Sequence, residues 1–169
     1  MEDEVIEVPI GKNKNYTMLI NKSAYDKVKD WCLTVQYSYD KYGNKRSEYV
    51  TMRKGVKGVK KKHFLHKYIM EPIPVGNKVD HIDGNTLNNT YSNLREATIN
   101  NNSHNSSIRS HNTSGYKGVH WCKGRRKWVA SIRVNKIGYN LGGFSSKEEA
   151  FNAYANAAFK YHGEFARLF

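Results

Sequence analysis

The chain has 169 residues, 38% of them hydrophobic, and carries 28 Lys and Arg against 15 Asp and Glu, a net charge of +13. That length admits one ordinary domain or two small ones, and the modest apolar fraction excludes a single large core. The charge points to a polyanionic partner, nucleic acid first, and no apolar run approaches membrane-spanning length.

The charge is uneven. Residues 103–169 hold 11 Lys and Arg and 3 Asp and Glu, whereas residues 61–102 hold 5 and 4. Two cysteines, Cys32 and Cys122, are too few and too far apart for a zinc site or a disulfide framework. The acidic start Met1-Glu2-Asp3-Glu4 is unlike a signal peptide, so a soluble, intracellular (cytoplasmic) protein is expected.

Residues 1–60 read as a β-rich region. Strands are expected over 5–10 and 16–20, around the turn Gly11-Lys12-Asn13-Lys14-Asn15. Ser23 is the expected cap of a short helix over 24–31. A second hairpin is expected over 33–39 and 47–52, turning at Asp40-Lys41-Tyr42-Gly43-Asn44. The Lys/Gly-rich stretch 53–62 reads as a loop that either touches phosphate or is simply solvated. In His63-Phe64-Leu65-His66-Lys67-Tyr68-Ile69-Met70 the two histidines would share a face if the segment were helical. With no further ligand nearby, packed histidines are favoured over a metal pair. Pro72 and Pro74 close this element.

Next comes Val79-Asp80-His81-Ile82-Asp83-Gly84-Asn85, with Asn93 and Asn102 following His81 at offsets of 12 and 21. A strand is expected over 78–82, another near 93–96, and a helix over 99–105 capped by Thr98. Hydrolysis of a phosphodiester needs an activated water and charge neutralisation at the phosphate. A neutral imidazole supplies the first near neutral pH. A hard divalent ion on oxygen ligands supplies the second. Asp80 and His81 are adjacent, so on a flat strand their side chains point to opposite faces, and the site requires a bend and a ligand from the following helix. Arg95 is read as facing either phosphate or a carboxylate. Asp-Gly-Asn is also ordinary turn chemistry. A calcium-loop spacing with a closing Glu is absent.

Residues 103–115 are rich in Ser, Asn and His and read as a linker, assigned to 106–115. Beyond it, 117–121, 127–135 and 138–144 alternate as strands, and Ser145-Ser146-Lys147-Glu148 reads as a capping box. The helix it opens carries Ala150, Ala153, Tyr154, Ala157, Ala158 and Tyr161 on one stripe. That stripe is expected to face Val119, Trp121, Trp128, Ala130, Ile132 and Leu141 across a three-stranded antiparallel sheet. The class is therefore α+β.

Residues 65–105 resemble the HNH endonucleases. The segments that carry the likeness are Leu65-His66-Lys67, Val79 to Asn85, Asn88-Asn89, Ser92-Asn93-Leu94-Arg95, and Thr98 with Asn102 and Asn105. The resemblance is closest to the phage and intron-encoded branch. It implies a ββα-metal core over 61–105, with Asp80 as a metal ligand, His81 as general base, Asn93 tethering the loop and orienting His81, and Asn102 as the second metal ligand. His104 and Asn105 stand as alternatives to Asn102. With asparagine there the ligands are all oxygen, which favours Mg²⁺, with Mn²⁺ possible, over zinc.

Residues 116–169 resemble the AP2 DNA-binding domain. The likeness rests on Ser114 to Val119, Lys127 to Arg133, Leu141-Gly142-Gly143-Phe144, Glu149 to Tyr154 and His162 to Leu168. The resemblance implies that the sheet face opposite the helix meets the major groove of double-stranded DNA. Alternation puts Lys117, His120, Cys122, Lys127, Val129, Ser131, Arg133, Gly138 and Asn140 on that face, with Arg125 and Arg126 at a turn suited to phosphate. Arg133 is the expected base-edge contact. Several of these positions differ from the plant members, so their target sequence does not carry over.

Together these readings give a metal-dependent DNA endonuclease of phage or homing type, acting as a monomer or weak dimer. A non-catalytic DNA-binding regulator is the alternative, and an RNA nuclease a weaker third. The N-terminal region either adds DNA contacts or covers the core.

Overall fold

The computed structural model describes residues 3–54, 62–98, 108 and 112–168. The class is α+β, and the chain divides into two compact units, Met1–Thr98 and Ile99–Phe169.

The first unit opens with a hairpin of β1 (Val5–Ile10) and β2 (Tyr16–Asn21), in which Val5 pairs with Asn21 and Ile10 with Tyr16. Alternation buries Val8, Ile10, Met18 and Ile20. Helix α1 (Lys22–Asp26) is shorter than the sequence suggests. Asn21, not Ser23, is its N-cap and makes no capping bond with its side chain. The Asn21 amide is engaged elsewhere, donating to the Asp3 carbonyl and accepting from the Tyr91 N–H, while the Ser23 hydroxyl donates to the Asp3 carboxylate. Two tight turns then replace further helix, with Val28 N–H on the Tyr25 carbonyl and Trp31 N–H on the Val28 carbonyl. They bury Val28 completely.

Strands β3 (Cys32–Tyr39), β4 (Lys45–Arg53) and β5 (Lys62–Phe64) form one sheet in that order. The Asp40 carboxylate closes the β3–β4 turn by accepting from the N–H groups of Tyr42 and Asn44. Helix α2 (Leu65–Met70) follows β5 directly. Strand β6 (Asn77–His81) pairs antiparallel with β8 (Leu94–Thr98), Asp80 opposite Arg95 and His81 opposite Leu94. Between them the two-residue β7 (Asn88–Asn89) pairs parallel with β2, joining the loop after His81 to the N-terminal hairpin. The expected division at residue 60 does not split the core. Leu65 is buried in one cluster with Val8, Met18, Val50 and Met52, and Tyr68, Ile69 and Leu87 pack onto it. The helix expected over 99–105 lies outside the described residues, and Thr98 is the last residue of β8.

In the second unit, structure begins by Asn112, inside the expected linker. The Ser114 hydroxyl, itself buried, donates to the Val119 carbonyl at 2.8 Å and accepts from the Tyr116 N–H at 3.1 Å. Strands β9 (Val119–Cys122), β10 (Lys127–Val134) and β11 (Ile137–Phe144) form an antiparallel sheet with β10 central. A bulge between Ala130 and Ser131 shifts the β10–β11 register, so Ala130 pairs with Gly142 and Ser131 with Asn140. Helix α3 (Lys147–His162) lies on one face. Its capping box is Ser146 with Glu149, one residue beyond the expected frame. Ala150, Ala157 and Ala158 bring the helix close to Val119, Ala130 and Ile132. Two aromatic residues expected in that core are at its margin. Trp121 is 43% exposed and packs edge-on against Trp128, and Tyr161 is 45% exposed and stacks on Tyr139.

Gly118 fixes the entry to this sheet. Its φ is +73°, and a Cβ there would lie 2.1 Å from the Tyr154 ring and 2.7 Å from the Ser131 carbonyl. Gly118→Ala is expected to destabilise the second unit by roughly 2–4 kcal/mol, the sum of left-handed strain and overpacking. Urea unfolding followed by Trp fluorescence checks this, since two of the three tryptophans, Trp121 and Trp128, belong to the unit. An unchanged midpoint would show that Tyr154 moves aside at no cost.

Among the described residues no helix is long and apolar enough to cross a membrane.

Candidate active site

Val79, Asp80 and His81 are all buried, although they alternate along β6. The strand is covered on both sides. The Asp80 side faces Arg95, its direct cross-strand neighbour. The His81 side faces α2 and the Tyr49 ring of β4. Arg95 therefore pairs with a carboxylate: its Nε and Nη2 donate to Asp80 Oδ2 at 3.1 and 2.9 Å. Both side chains are about nine-tenths buried, 10% and 9% exposed, so solvent screens the pair little.

The His81 ring lies 5.2 Å from the His66 ring and 6.3 Å from that of Tyr49. Burial pulls the His81 imidazole below its ordinary pKa, and the Asn89 amide and the Asp83 and Asp80 carboxylates offset this only in part. The ring is therefore neutral at pH 7 and able to accept a proton. His66 is lowered further, to about 3, by burial first and then by His81 and Lys67. His63 and His66 do not share a helix face. His63 is on β5 with its ring 6.1 Å from Trp31, while His66 is on α2. Among the described residues no three His, Cys, Asp or Glu side chains gather as a metal cage.

The loop after His81 is held from within. Asn93 Nδ2 donates to Asp83 Oδ1 at 2.9 Å and to the Asn88 carbonyl at 2.8 Å, and its Oδ1 accepts from the Asp83 N–H at 3.0 Å. Its carbonyl accepts from the Ile82 N–H at 2.9 Å. Asn93 thus grips the backbone next to His81 rather than the imidazole itself. Burial works against the Asp83 charge, but donors from Asn88, Asn85 and Asn93 outweigh it and hold that carboxyl below its ordinary value. Gly84, at φ +75°, lets its N–H reach the His81 carbonyl at 2.9 Å. Asn102, with His104 and Asn105, lies outside the described residues.

The sequence left the partner of Arg95 open, placed His66 and Asn89 within the segments that carry the resemblance but gave neither a role, and did not point to Tyr49 at all. The only legible signal for Arg95 was its place on the strand paired with β6. Tyr49 is 32 residues from His81 and no local spacing joins them.

His66 makes the first unit acid-sensitive. Its folded pKa is about 3 against an ordinary 6.5, so between those values the unfolded chain binds a proton that the folded one excludes. Stability is full above pH 6.5 and falls as pH drops toward 3. At pH 5 this amounts to roughly 2 kcal/mol. His66→Leu is expected to shrink the difference in urea midpoint between pH 7 and pH 5, and an unchanged difference would remove His66 from the acid response.

In the second unit, His120, Cys122, Arg125, Val129, Ser131, Gly138, Tyr139 and Asn140 line a concavity of about 400 Å³. Most of it is the sheet face opposite α3. His120, Arg125, Arg126, Lys127, Arg133 and Asn140 are exposed, Ser131 is half-buried, and Val129 is buried at the floor. Lys117, also half-buried, has its pKa pulled down to about 8 by burial and by Arg167. The Asn140 side chain accepts from the Gly142 N–H at 2.9 Å, bracing the bulge.

The family described as HNH endonuclease matches residues 68–104. Protein 3.8 of Escherichia phage T7 is 37% identical over 121 residues, covering 69% of this chain and 99% of that protein. An uncharacterized HNH endonuclease of Acanthamoeba polyphaga mimivirus is 39% identical over 104 residues, 61% of this chain and 53% of its own length. No solved structure matches the chain significantly.

Proposed function

The chain belongs to the family of phage T7 protein 3.8 and carries an HNH endonuclease segment, and on that premise we propose that it is a divalent-cation-dependent DNA endonuclease acting through His81. The observation that carries the reading is a buried, neutral His81 next in the chain to the buried Asp80, followed by a loop that Asn93 locks. His81 takes the proton from the attacking water. Asn93 keeps the backbone of residues 82 and 83 in place, so the His81 Cα does not drift. Asp80 contributes a hard oxygen donor, and Asn102 the second by resemblance. These suit Mg²⁺ or Mn²⁺. When bound, that ion supplies Lewis-acid stabilisation of charge at the phosphate. The ββα-metal arrangement of this core belongs to the same proposal.

The second unit is proposed to be AP2-like and to hold duplex DNA on its exposed sheet face. Arg125, Arg126, Lys127 and Arg133 give that face a positive charge, and Ser131 and Asn140 add polar groups around the buried Val129. Arg133 pairs across the sheet with Gly138, so no opposing side chain covers it. Arg133→Ala is expected to weaken duplex binding by about 1–3 kcal/mol and relax sequence preference, whereas Lys127→Ala lowers the salt slope by about 1. Fluorescence anisotropy on a duplex pool at several salt concentrations separates the two effects. Unchanged affinity for Arg133→Ala throughout would remove it from the interface.

The nuclease reading is tested with supercoiled plasmid. Mg²⁺ is expected to support nicking or linearisation that a chelator stops. Intact plasmid across a series of divalent ions would refute it.

A further inference from the structure

We infer that His66 is a positioning residue for His81, its buried imidazole packed against the His81 ring and fixing the orientation in which that ring meets the attacking water. The inference rests on the nuclease reading above, and His66 lies outside residues 68–104 that the family matches.

The torsion that turns a histidine ring about its Cβ–Cγ bond is broad, so neighbours must set the ring plane. For His81 one neighbour is Tyr49, at 6.3 Å. The nearer is His66, at 5.2 Å with the planes inclined 69°, an edge contact. His66 is in turn held by Tyr49 at 5.4 Å and Phe64 at 5.7 Å. It sits in the first turn of α2, which packs on β4, β6 and β8.

Packing alone does not account for an imidazole here. His66 is 5% exposed, and its Nδ1 has no hydrogen-bond partner among the described residues. A buried polar atom left unpaired costs about 1–3 kcal/mol, which a phenyl ring of similar shape would avoid. Phe64 and Tyr49 already show that this cluster accepts such rings. What imidazole adds is polarity in the ring plane, and an aromatic edge set against a ring face has a preferred geometry that depends on that charge distribution. Burial keeps His66 uncharged at working pH, so it orients His81 without repelling it.

The test uses the full-length protein. His66→Phe keeps a ring of similar shape and removes the nitrogens. It is expected to unfold in urea at the wild-type midpoint or above, yet to cut plasmid with kcat lower by on the order of 10- to 100-fold and KM within about twofold. The imidazole ¹⁵N signals of His81, assigned by their loss in His81→Ala, are expected to shift in His66→Phe. His63→Ala, which removes the ring contact with Trp31 and none with His81 among the described residues, should leave both readouts unchanged. If His66→Phe does not fold, His66→Gln is read the same way. Cutting at the wild-type rate overturns the inference, as do His81 signals that stay in place. If the wild type itself does not cut, the nuclease reading has failed, and the ¹⁵N signals alone decide whether His66 sets the His81 ring.

Discussion

His81→Ala is expected to slow DNA cleavage by about 10²- to 10⁴-fold, the usual contribution of a positioned general base. His81 is 5% exposed and held neutral chiefly by burial. Alanine removes the proton acceptor, and no other described side chain replaces it. His66 is the nearest imidazole among the described residues, but it is equally buried and packed in edge contact with the His81 ring. The loop is anchored by Asn93 to backbone and to Asp83, not to the imidazole, so the variant keeps its loop. Affinity for duplex DNA should change little, because the proposed reading face belongs to the other unit. Single-turnover rates with saturating enzyme isolate the chemical step. A His81→Ala protein that cuts within a few-fold of wild type would mean the base has been misassigned.

The largest expected effect on stability is at Arg95. Arg95→Met removes the guanidinium from a carboxylate that is about nine-tenths buried. Breaking one partner of such a pair leaves an uncompensated charge and costs roughly 3–5 kcal/mol. Asp80→Asn with Arg95→Met removes both charges and should recover most of the loss. The double-mutant cycle then gives the coupling directly. Proposed as a metal ligand, Asp80 adds a second readout. Mg²⁺ should restore part of the stability of Arg95→Met by mass action, and none of the stability of the double variant. A midpoint for Arg95→Met equal to wild type would show that the pair is not what holds β6 against β8. Equal rescue of both variants would separate Asp80 from the cation.

Much of this was legible in the sequence wherever a short-range rule governed the fold. Hairpins β1–β2 and β3–β4 follow from alternation and turn residues, and the Asp40 turn closes through its own carboxylate. The helical stripe of α3 follows from its alanines. The capping box slipped by one because Ser145–Glu148 and Ser146–Glu149 both satisfy the same pattern, and only tertiary packing selects the second. Ser23 looked like a cap because the demand on Asn21 comes from Asp3 and from Tyr91, 70 residues away. Strand β7 is two residues long and carries no period, so its pairing with β2 was invisible.

The site divides along the same line. Asp80, His81 and Asn93 stand out by spacing, and the structure places them on one strand and its following loop. Alternation implied that Asp80 and His81 point to opposite faces of their strand. Both faces of β6 are covered, one by Arg95 and the other by His66 and Tyr49. Those contacts join elements far apart in sequence, and composition and periodicity do not encode them.

The central claim is that the chain hydrolyses a DNA phosphodiester with water activated at His81. Cleavage in H₂¹⁸O under single turnover, with mass spectrometry of the new ends, tests it most directly. The expected result is one ¹⁸O on the newly formed terminal phosphate with wild type, and intact DNA over the same interval with His81→Ala. New ends without ¹⁸O, or DNA left intact by wild type with Mg²⁺ and Mn²⁺ alike, would contradict it.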